Sequence, residues 1–296
     1  MRQRLLNLAR QRGEDFNFLL ATYGLERLLY RLGQSPHRRD FVLKGAMLFR
    51  AWSGATYRPT RDLDLLGRGD PAIPRLVRLF EEIWQNPVQA DGLELEPGSV
   101  RGEDIREAQE YGGIRIRMVA RLGSARISLQ VDIGFGDAIT PCAAEITFPV
   151  LLDAPPPVLY AYPPETVVAE KLHAMIALGV ANTRMKDFYD VWMIARRFAF
   201  DGSQLAEAIA ATFERRRTPL PDGVPVALTD PFAGDEARQR QWGAFLGRIG
   251  QQDGSPTFPE LADALARFLV PPLQSLQTEH AFGARWPAGG PWIGAD

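Results

Sequence analysis

Two neighbouring segments in which apolar and polar residues alternate constrain the fold of this 296-residue chain most strongly. Residues 113–122 and 125–135 both alternate, and the LGSA segment between them predicts a hairpin turn. The apolar side chains of the second segment share one face, whereas Ser128, Gln130 and Asp132 share the other. The hairpin therefore predicts a sheet with one polar face, and Asp132 lies on that face.

The remaining periodicity separates the chain into an α/β half and a helical half. Before residue 150, helices are predicted over 3–12, 14–33, 46–52 and 74–85, and strands over 41–45 and 62–66. Five prolines in residues 151–165 predict a boundary. Helices are predicted after it over 164–179, 184–199, 203–216, 236–249 and 258–277, with a loop over 218–235. We expect an α/β domain over 1–150, a helical domain over 164–280 and an irregular tail over 281–296.

Composition excludes several classes of protein. The hydrophobic fraction of 46% and charged fraction of 24% exclude bulk disorder, collagen and coiled coil. The formal charge of −2 requires that any nucleic-acid contact come from local basic patches. The chain has neither a signal-peptide pattern nor an apolar run long enough to span a membrane, and its single cysteine fits a reducing compartment. We therefore expect a cytoplasmic protein without a membrane partner.

The sequence Arg61-Asp62-Leu63-Asp64 is the strongest local indication of chemistry. Carboxylates at i and i+2 of a strand face the same side, where their like charges repel each other. A divalent cation relieves this repulsion, and hard oxygen ligands suit Mg²⁺, which completes its coordination with phosphate and water. The alternative is a solvated strand end with two surface aspartates.

The surroundings of the two aspartates favour a phosphate site. A predicted strand ends at Lys44-Gly45 and leads into a helix that starts near Ala46, and such a turn offers backbone N–H groups to phosphate. The loop that follows carries Arg58 and Arg61, which are further phosphate partners.

Asp132 is the candidate for a third carboxylate. Three carboxylates can hold two Mg²⁺ ions, which would clamp the attacking and leaving oxygens of an in-line phosphoryl displacement. This requires Asp132 to lie beside Asp62 and Asp64 in three dimensions; otherwise it is an ordinary aspartate at a hairpin end.

A second cluster lies in residues 169–192. It contains Lys171 on one predicted helix and Asp187 and Asp190, at i and i+3, on the next. One interpretation is a set of helix-surface ion pairs such as Lys186–Asp190. Lysine is scarce, however, because only Lys44, Lys171 and Lys186 occur among 34 basic residues. Either codon usage favours arginine, or these positions need a compact ammonium group.

Together these motifs resemble a known family. The segments FVLKGAMLFRAW and RPTRDLDLL, followed by EKLHAMIALGVANTRMKDFYDVW, are similar to the motifs of the AbiEii/AbiGii toxin family of type IV toxin–antitoxin systems. The resemblance covers roughly residues 15–270, and its motifs occur in the family's order. It implies a DNA polymerase β-like nucleotidyltransferase fold, with a mixed sheet and a C-terminal helical domain that completes the active site.

The resemblance also implies an activity and roles for residues. It implies a nucleotidyltransferase that uses Mg²⁺ and an NTP to modify RNA, with the tRNA 3′ end as acceptor. Such a toxin would block translation, act in phage defence and be neutralised by a cognate antitoxin. The implied roles are metal ligation by Asp62 and Asp64 and triphosphate binding by Lys171. Asp187 or Asp190 would be the downstream acidic catalytic residue. Asp132 matches the family pattern less closely.

The chain departs from the nucleotidyltransferase pattern at one position. Many nucleotidyltransferases have Gly-Ser or Gly-Gly at the turn, whereas this chain has Gly45-Ala46. Alanine lacks the hydroxyl that could bind phosphate, and Lys44 is the neighbouring residue that could replace part of that contact.

Two alternative functions remain open at the level of sequence. The acceptor could be a small molecule or a protein side chain instead of RNA, in which case a closed pocket would replace a broad basic groove. The domain could also be a non-catalytic module that only binds a partner, and it would then bind no Mg-NTP.

Lysine scarcity generates one prediction. Lys171→Arg should lower nucleotide transfer although it keeps the positive charge, because a planar guanidinium does not fit a site built for an ammonium group. Transfer of label from labelled NTPs by the two proteins measures this effect. Full activity of the variant would show that the scarcity of lysine reflects codon usage alone.

Overall fold

A computed structural model describes residues 1–53, 60, 62–105, 112–251, 254–278 and 280–294. Arg58, Arg61 and most of the predicted loop over 53–60 lie outside these residues. The chain divides into two compact units. The first comprises Met1–Gly136 and Ala143–Tyr162, and the second comprises Asp137–Cys142 and Pro163–Asp296.

The helices of the first unit follow the predicted periodicity. They are α1 (Arg2–Arg12), α2 (Phe16–Gln34), α3 (Met47–Ser53) and α4 (Ile73–Gln85). A 3₁₀ turn over Pro36–Arg39 follows α2. The α2 helix begins at an N-cap, because the Asp15 carboxylate accepts a 2.8 Å hydrogen bond from the backbone N–H of Phe18.

Within the described residues, eight strands form one sheet. They are β1 (Phe41–Lys44), β2 (Asp62–Gly67), β3 (Leu93–Leu95), β4 (Arg101–Ile105), β5 (Gly113–Leu122), β6 (Ala125–Phe135), β7 (Ala144–Thr147) and β8 (Val158–Ala161). Their order is β3-β5-β6-β2-β1-β8-β7, and β4 also pairs with β5. The β2–β6 and β1–β8 pairs are parallel and the others antiparallel. The predicted α/β class with a mixed sheet is confirmed.

The predicted hairpin gives the sheet one apolar face that is buried in the core and one polar face. Strands β5 and β6 pair antiparallel from Leu122 opposite Ala125 to Ile114 opposite Ile133. The apolar face of β6 is buried, and α2 packs closely on it: a Cβ added to Gly24 would lie 2.7 Å from the Leu129 side chain. Because this face is buried, a slip of one residue would place it in water, so the register is strongly determined.

A buried carboxylate links α2 to α3. Glu26 accepts a 2.7 Å hydrogen bond from the Leu151 backbone N–H, and its carboxylate lies 3.2 Å from Arg27 Nε and 3.8 Å from the Arg50 guanidinium of α3. Burial raises the pKa of Glu26 to about 6, although Arg27 and Arg50 oppose this shift. The helix that follows the Gly45 turn is thus tied to α2 through Arg50.

The proline-rich segment 151–165 contains a strand that sequence patterns do not predict. Strand β8 lies within it and pairs with β1, with Leu43 opposite Ala161. The sheet therefore continues to Ala161, beyond the expected domain end at residue 150, and the second unit resumes at Pro163.

The second unit is mainly helical. Its elements are α5 (Pro164–Leu178), α6 (Met185–Arg197), β9 (Phe200–Asp201), α7 (Gly202–Arg215), α8 (Asp230–Ala233), α9 (Glu236–Ile249), α10 (Phe258–Thr278) and β10 (Arg285–Trp286), with 3₁₀ turns over Gly179–Ala181 and Val226–Leu228. No helix among the described residues is both long and apolar enough to cross a membrane.

The C-terminal tail, expected to be irregular over 281–296, packs on the helices of this unit. Strand β10 pairs with β9, and the buried Trp286 donates a 2.8 Å hydrogen bond from Nε1 to the Ala195 carbonyl. The ring centroids of Trp286 and Phe268 lie 4.8 Å apart. Burial of the Trp286 ring therefore holds the C-terminal tail against the helices of the second unit.

A six-residue segment of the second unit lies in sequence between β6 and β7. In this segment Thr140 exchanges two hydrogen bonds with the Thr166 hydroxyl, of 3.0 and 2.9 Å, and Asp137 accepts one of 3.3 Å from Arg216. Residues 137–142 are thus held by side chains of α5 and of the residue after α7.

His173 connects α5 to the end of α7. Arg216 Nη1 lies 3.1 Å from His173 Nδ1, and His173 Nε2 lies 2.8 Å from the Thr218 hydroxyl. Because arginine can only donate, Nδ1 accepts and Nε2 carries the proton. Burial, and then the Arg216 charge, lower the pKa of His173 to about 4, although Asp137 opposes this shift.

The lowered pKa of His173 predicts a pH dependence of stability. Between pH 6.5 and 4 the unfolded state binds a proton that the folded state does not, so stability falls as pH falls through this range. The histidine should contribute a loss of about 2 kcal/mol between pH 7 and pH 5. Urea unfolding at both pH values should show this extra loss in the wild type but not in His173→Gln. Equal losses in both proteins would contradict the assignment.

Candidate functional site

The polar face of the sheet carries the two aspartates of the DxD sequence. Asp62 and Asp64 lie on β2 and are half-buried, whereas the intervening Leu63 is fully buried on the opposite face. The structure therefore gives the two carboxylates the common face that their spacing predicts.

Asp132 lies beside this pair. Strand β6 runs parallel to β2, with Asp132 opposite Asp64 and Gln130 opposite Asp62. Neighbouring strands are about 4.8 Å apart, and partners in register share a face. The structure thus brings together Asp62, Asp64 and Asp132, and we call these three residues the carboxylate face.

An arginine binds the third carboxylate. Arg115 on β5 is the register partner of Asp132, and its Nε and Nη2 donate hydrogen bonds of 2.8 and 2.7 Å to the two carboxylate oxygens. Hydrogen bonding by Asp132 raises the pKa of Arg115 above its ordinary value, and the charges of Asp132 and Asp62 add to this effect. Asp132 is therefore held as an ion pair with a fixed orientation.

Lys44 lies on the other side of the carboxylate face. It is the register partner of Asp64 across β1 and β2, and its Nζ lies 5.2 Å from the centroid of the Tyr162 ring. This geometry is that of a cation–π contact. The carboxylate face is consequently flanked by a cation on each neighbouring strand.

The Gly45-Ala46 turn lies against Asp64. Gly45 has a φ of +72°, and a Cβ added there would lie 2.0 Å from Asp64 Oδ2. A side chain at this position would therefore meet both backbone strain and the carboxylate. The next residue, Ala46, leads directly into α3. Glycine is required here because the backbone passes so close to the Asp64 carboxylate.

The donor set of the carboxylate face fits Mg²⁺ in part. Mg²⁺ is commonly bound through one or two carboxylates together with substrate phosphates, and Asp62 and Asp64 supply two on one face. Across the described ranges, no group of three or more His, Cys, Asp or Glu side chains is arranged to hold a metal ion. Ligation of a metal by Asp132 stays a prediction.

Lys171, Asp187 and Asp190 meet in the second unit. Lys171 Nζ on α5 lies 2.8 Å from both Asp187 Oδ1 and Asp190 Oδ2 on α6, and Arg184 Nε lies 2.7 Å from Asp187 Oδ2. The two carboxylates are only 1% and 2% exposed. The interpretation as surface pairs with Lys186 is therefore wrong, because Asp190 is buried and faces Lys171, whereas Lys186 is exposed.

Charge compensation explains how this cluster tolerates burial. Burial alone would raise the pKa of Asp187, but Lys171 and Arg184 lower it below the ordinary value. Burial likewise opposes the charge of Lys171, but Asp187 and Asp190 raise its pKa. The raised pKa of Lys171 and the lowered pKa of Asp187 keep both groups ionised at neutral pH, because each is compensated by an opposite charge.

A family comparison decides the identity of the chain. The model of the family described as nucleotidyl transferase AbiEii toxin, type IV toxin–antitoxin system, matches residues 27–267. The chain belongs to the AbiEii family. It is thus a nucleotidyltransferase of the toxin type, which confirms the resemblance found in the sequence.

Two crystal structures from Helicobacter pylori show a distant likeness to this AbiEii-family protein. JHP933 is 13% identical, with 86% of this chain and 93% of that chain covered and a TM-score of 0.44. A proposed nucleotidyltransferase is 15% identical, with 86% and 95% covered and the same TM-score of 0.44. None of the curated proteins matches the chain significantly.

Two arginines near the predicted site were not recognised in the sequence of this AbiEii-family protein. The hairpin register that places Leu122 opposite Ala125 also places Arg115 opposite Asp132, so alternation and turn position together indicate the pair. Arg184 belongs to the R-x-K-D sequence, and its i,i+3 spacing to Asp187 at the start of α6 indicates this ion pair locally. Arg58 and Arg61, the other predicted phosphate partners, lie outside the described residues.

The contact between Gly45 and Asp64 predicts a specific loss of stability. Gly45→Ala should lower the free energy of unfolding by more than about 1 kcal/mol, because it combines backbone strain with a clash. Gly98→Ala is the matched control, since Gly98 also has a positive φ of +63° but no atom within 4 Å of an added Cβ. Urea unfolding compares the two variants. Equal losses would show that the approach to Asp64 has no energetic consequence.

Proposed function

We propose that this AbiEii-family protein transfers a nucleotide from an NTP to an RNA acceptor, the tRNA 3′ end. The carboxylate face carries the proposal, because Asp64 and Asp132 lie side by side on parallel strands and Asp62 shares their face. This is an arrangement that phosphoryl transfer can use, in which catalysis rests on positioning and charge neutralisation.

The proposed reaction forms one bond and breaks one. The acceptor hydroxyl oxygen bonds to the α-phosphorus of the NTP, and the bond from this phosphorus to the bridging oxygen breaks, releasing pyrophosphate. The hydroxyl proton passes to a carboxylate, for which Asp132 or an acid of the second unit is the candidate.

In the first unit, the acidic residues and the basic residue have different proposed roles in this reaction. Asp62 and Asp64 would hold Mg²⁺, which supplies neutralisation of the triphosphate and of the leaving pyrophosphate when bound. Lys44, next to Asp64, would neutralise a phosphate oxygen, and the Gly45-Ala46 turn lets the phosphate approach the backbone. Gly45 thus serves the site both by leaving room for Asp64 and by leaving the turn open.

The ionic cluster of the second unit keeps its implied roles as part of the proposal. Lys171 would bind the triphosphate of the NTP, and Asp187 or Asp190 would be the downstream acidic catalytic residue. Since Lys171 is bound by both carboxylates, phosphate would compete with them for the ammonium group. Asp187→Asn and Asp190→Asn test the two carboxylates separately.

The biological role that we propose follows from the family. Membership of a type IV toxin–antitoxin family implies an NTP substrate and an antitoxin partner. Modification of tRNA would block translation, and a cognate antitoxin would neutralise the protein; phage defence is the setting in which such a toxin would act.

Transfer of radioactive label tests the proposed function. The protein is incubated with each α-labelled NTP, total tRNA and Mg²⁺, and the wild type should label tRNA. Asp64→Asn keeps the shape of the side chain but removes its charge, and should lower labelling by roughly 10²–10³-fold. The control is Asp153→Asn, whose carboxylate is 99% exposed and which should label normally.

Three outcomes would count against the proposal. Absence of label with every NTP would reject nucleotide transfer, and full labelling by Asp64→Asn would reject the site. Label on protein or on a small molecule, but not on tRNA, would reject the RNA acceptor. Thermal denaturation of each variant separates loss of activity from loss of fold.

A further inference from the structure

Four charged residues form a row across the polar face of the sheet. At one level of the strands, Arg115 on β5 lies opposite Asp132 on β6, Asp132 opposite Asp64 on β2, and Asp64 opposite Lys44 on β1. Register partners share a face, so the row runs from cation through two anions to cation.

The contacts of Arg115 differ from those of the next arginine on the same face. Arg115 binds both oxygens of Asp132 through two hydrogen bonds. Arg117 lies two residues further along β5, opposite the neutral Gln130, and its guanidinium lies 3.0 Å from Glu103 instead. The two arginines therefore provide a matched pair, one bound to the carboxylate face and one bound elsewhere.

The two hydrogen bonds from Arg115 restrict what Asp132 can do. Each oxygen of Asp132 already accepts an N–H, and a positive charge lies within hydrogen-bond distance of both. A divalent cation at Asp132 would be repelled by that charge and would compete with the guanidinium for the oxygens. Asp62 and Asp64 lie on β2, one strand further from Arg115, and neither receives the two hydrogen bonds that Arg115 donates to Asp132.

We propose that Arg115 is a positioning residue that holds Asp132 beside Asp64 but withholds it from the metal. The cation is then held by Asp62 and Asp64, and Asp132 is kept in a fixed orientation for the acceptor hydroxyl. This inference rests on the proposed nucleotidyl transfer. Of the two candidate roles of Asp132, metal ligand and proton acceptor, this inference assigns the second.

Binding of Mn²⁺ without nucleotide gives the first test. Loss of the free-ion signal in electron paramagnetic resonance measures binding to the whole protein. Arg115→Gln removes the charge and frees Asp132, so it should bind Mn²⁺ roughly 10-fold more tightly than the wild type. Adding Asp132→Asn to this variant should abolish the gain. Arg117→Gln should bind Mn²⁺ as the wild type does.

Transfer kinetics give the second test. Arg115→Gln should lower kcat by roughly 10–100-fold with little change in KM for the NTP, because Asp132 loses its orientation. Arg115→Lys keeps the charge but lacks the planar fork, so it should lower kcat while binding Mn²⁺ as the wild type does. Arg117→Gln should keep the wild-type kcat.

The outcomes distinguish this inference from the proposed function. Mn²⁺ binding by Arg115→Gln that is equal to or weaker than that of the wild type overturns the inference, as does full kcat in Arg115→Lys. If Arg115→Gln does not fold, Arg115→Lys decides. If the wild type transfers no nucleotide, the proposed function fails, whereas the Mn²⁺ measurement still decides whether Arg115 withholds Asp132.

Discussion

Electrostatic repulsion among three aspartates on one sheet face is the constraint on which this structure depends. Asp62, Asp64 and Asp132 are brought together by strand register, and nothing about their own chemistry favours that proximity. The strands remain in register because their opposite face is a packed apolar core beneath α2. The hydrophobic effect thus holds the carboxylates together against their repulsion, while Lys44 and Arg115 on the flanking strands reduce it.

In the second unit, acidic side chains are buried and are compensated by basic side chains in direct contact with them. Asp187 and Asp190 of this unit are almost fully buried, so solvent does not screen them, and Lys171 and Arg184 lie within hydrogen-bond distance of their carboxylates. Because removal of one partner would leave a charge uncompensated, such a cluster fixes α5 against α6 in one arrangement. Among the described residues, Lys44 and Arg115 flank the half-buried carboxylate face on neighbouring strands, whereas Lys171 and Arg184 lie directly against the buried carboxylates of the second unit.

Elements with strong periodicity could be predicted from the sequence, and those governed by distant pairing could not. The β5–β6 hairpin and the long helices have regular apolar spacing, and the structure contains them. Strand β8 lies between prolines that indicate a loop, and only its pairing with β1 makes it a strand. The charged sequence of β4, Arg101–Ile105, likewise becomes a strand through pairing with β5.

The site was predictable to the extent that local spacing determines it. The spacing of Asp62 and Asp64 on a strand gives their common face, because side chains alternate. The position of Asp132 beside them depends on β6 pairing parallel with β2, which no local pattern encodes. The burial of Asp187 similarly depends on Lys171, which arrives from a different helix.

The short segment 137–142 makes the two units inseparable in sequence. The chain leaves the first unit after Gly136, contributes six residues to the second, and returns at Ala143 to complete the sheet. A single cut therefore cannot release either unit whole: a fragment ending at Tyr162 would retain Thr140 without Thr166 and Asp137 without Arg216. For the same reason, a protein made of either unit alone would have to be assembled from two separate stretches of the sequence.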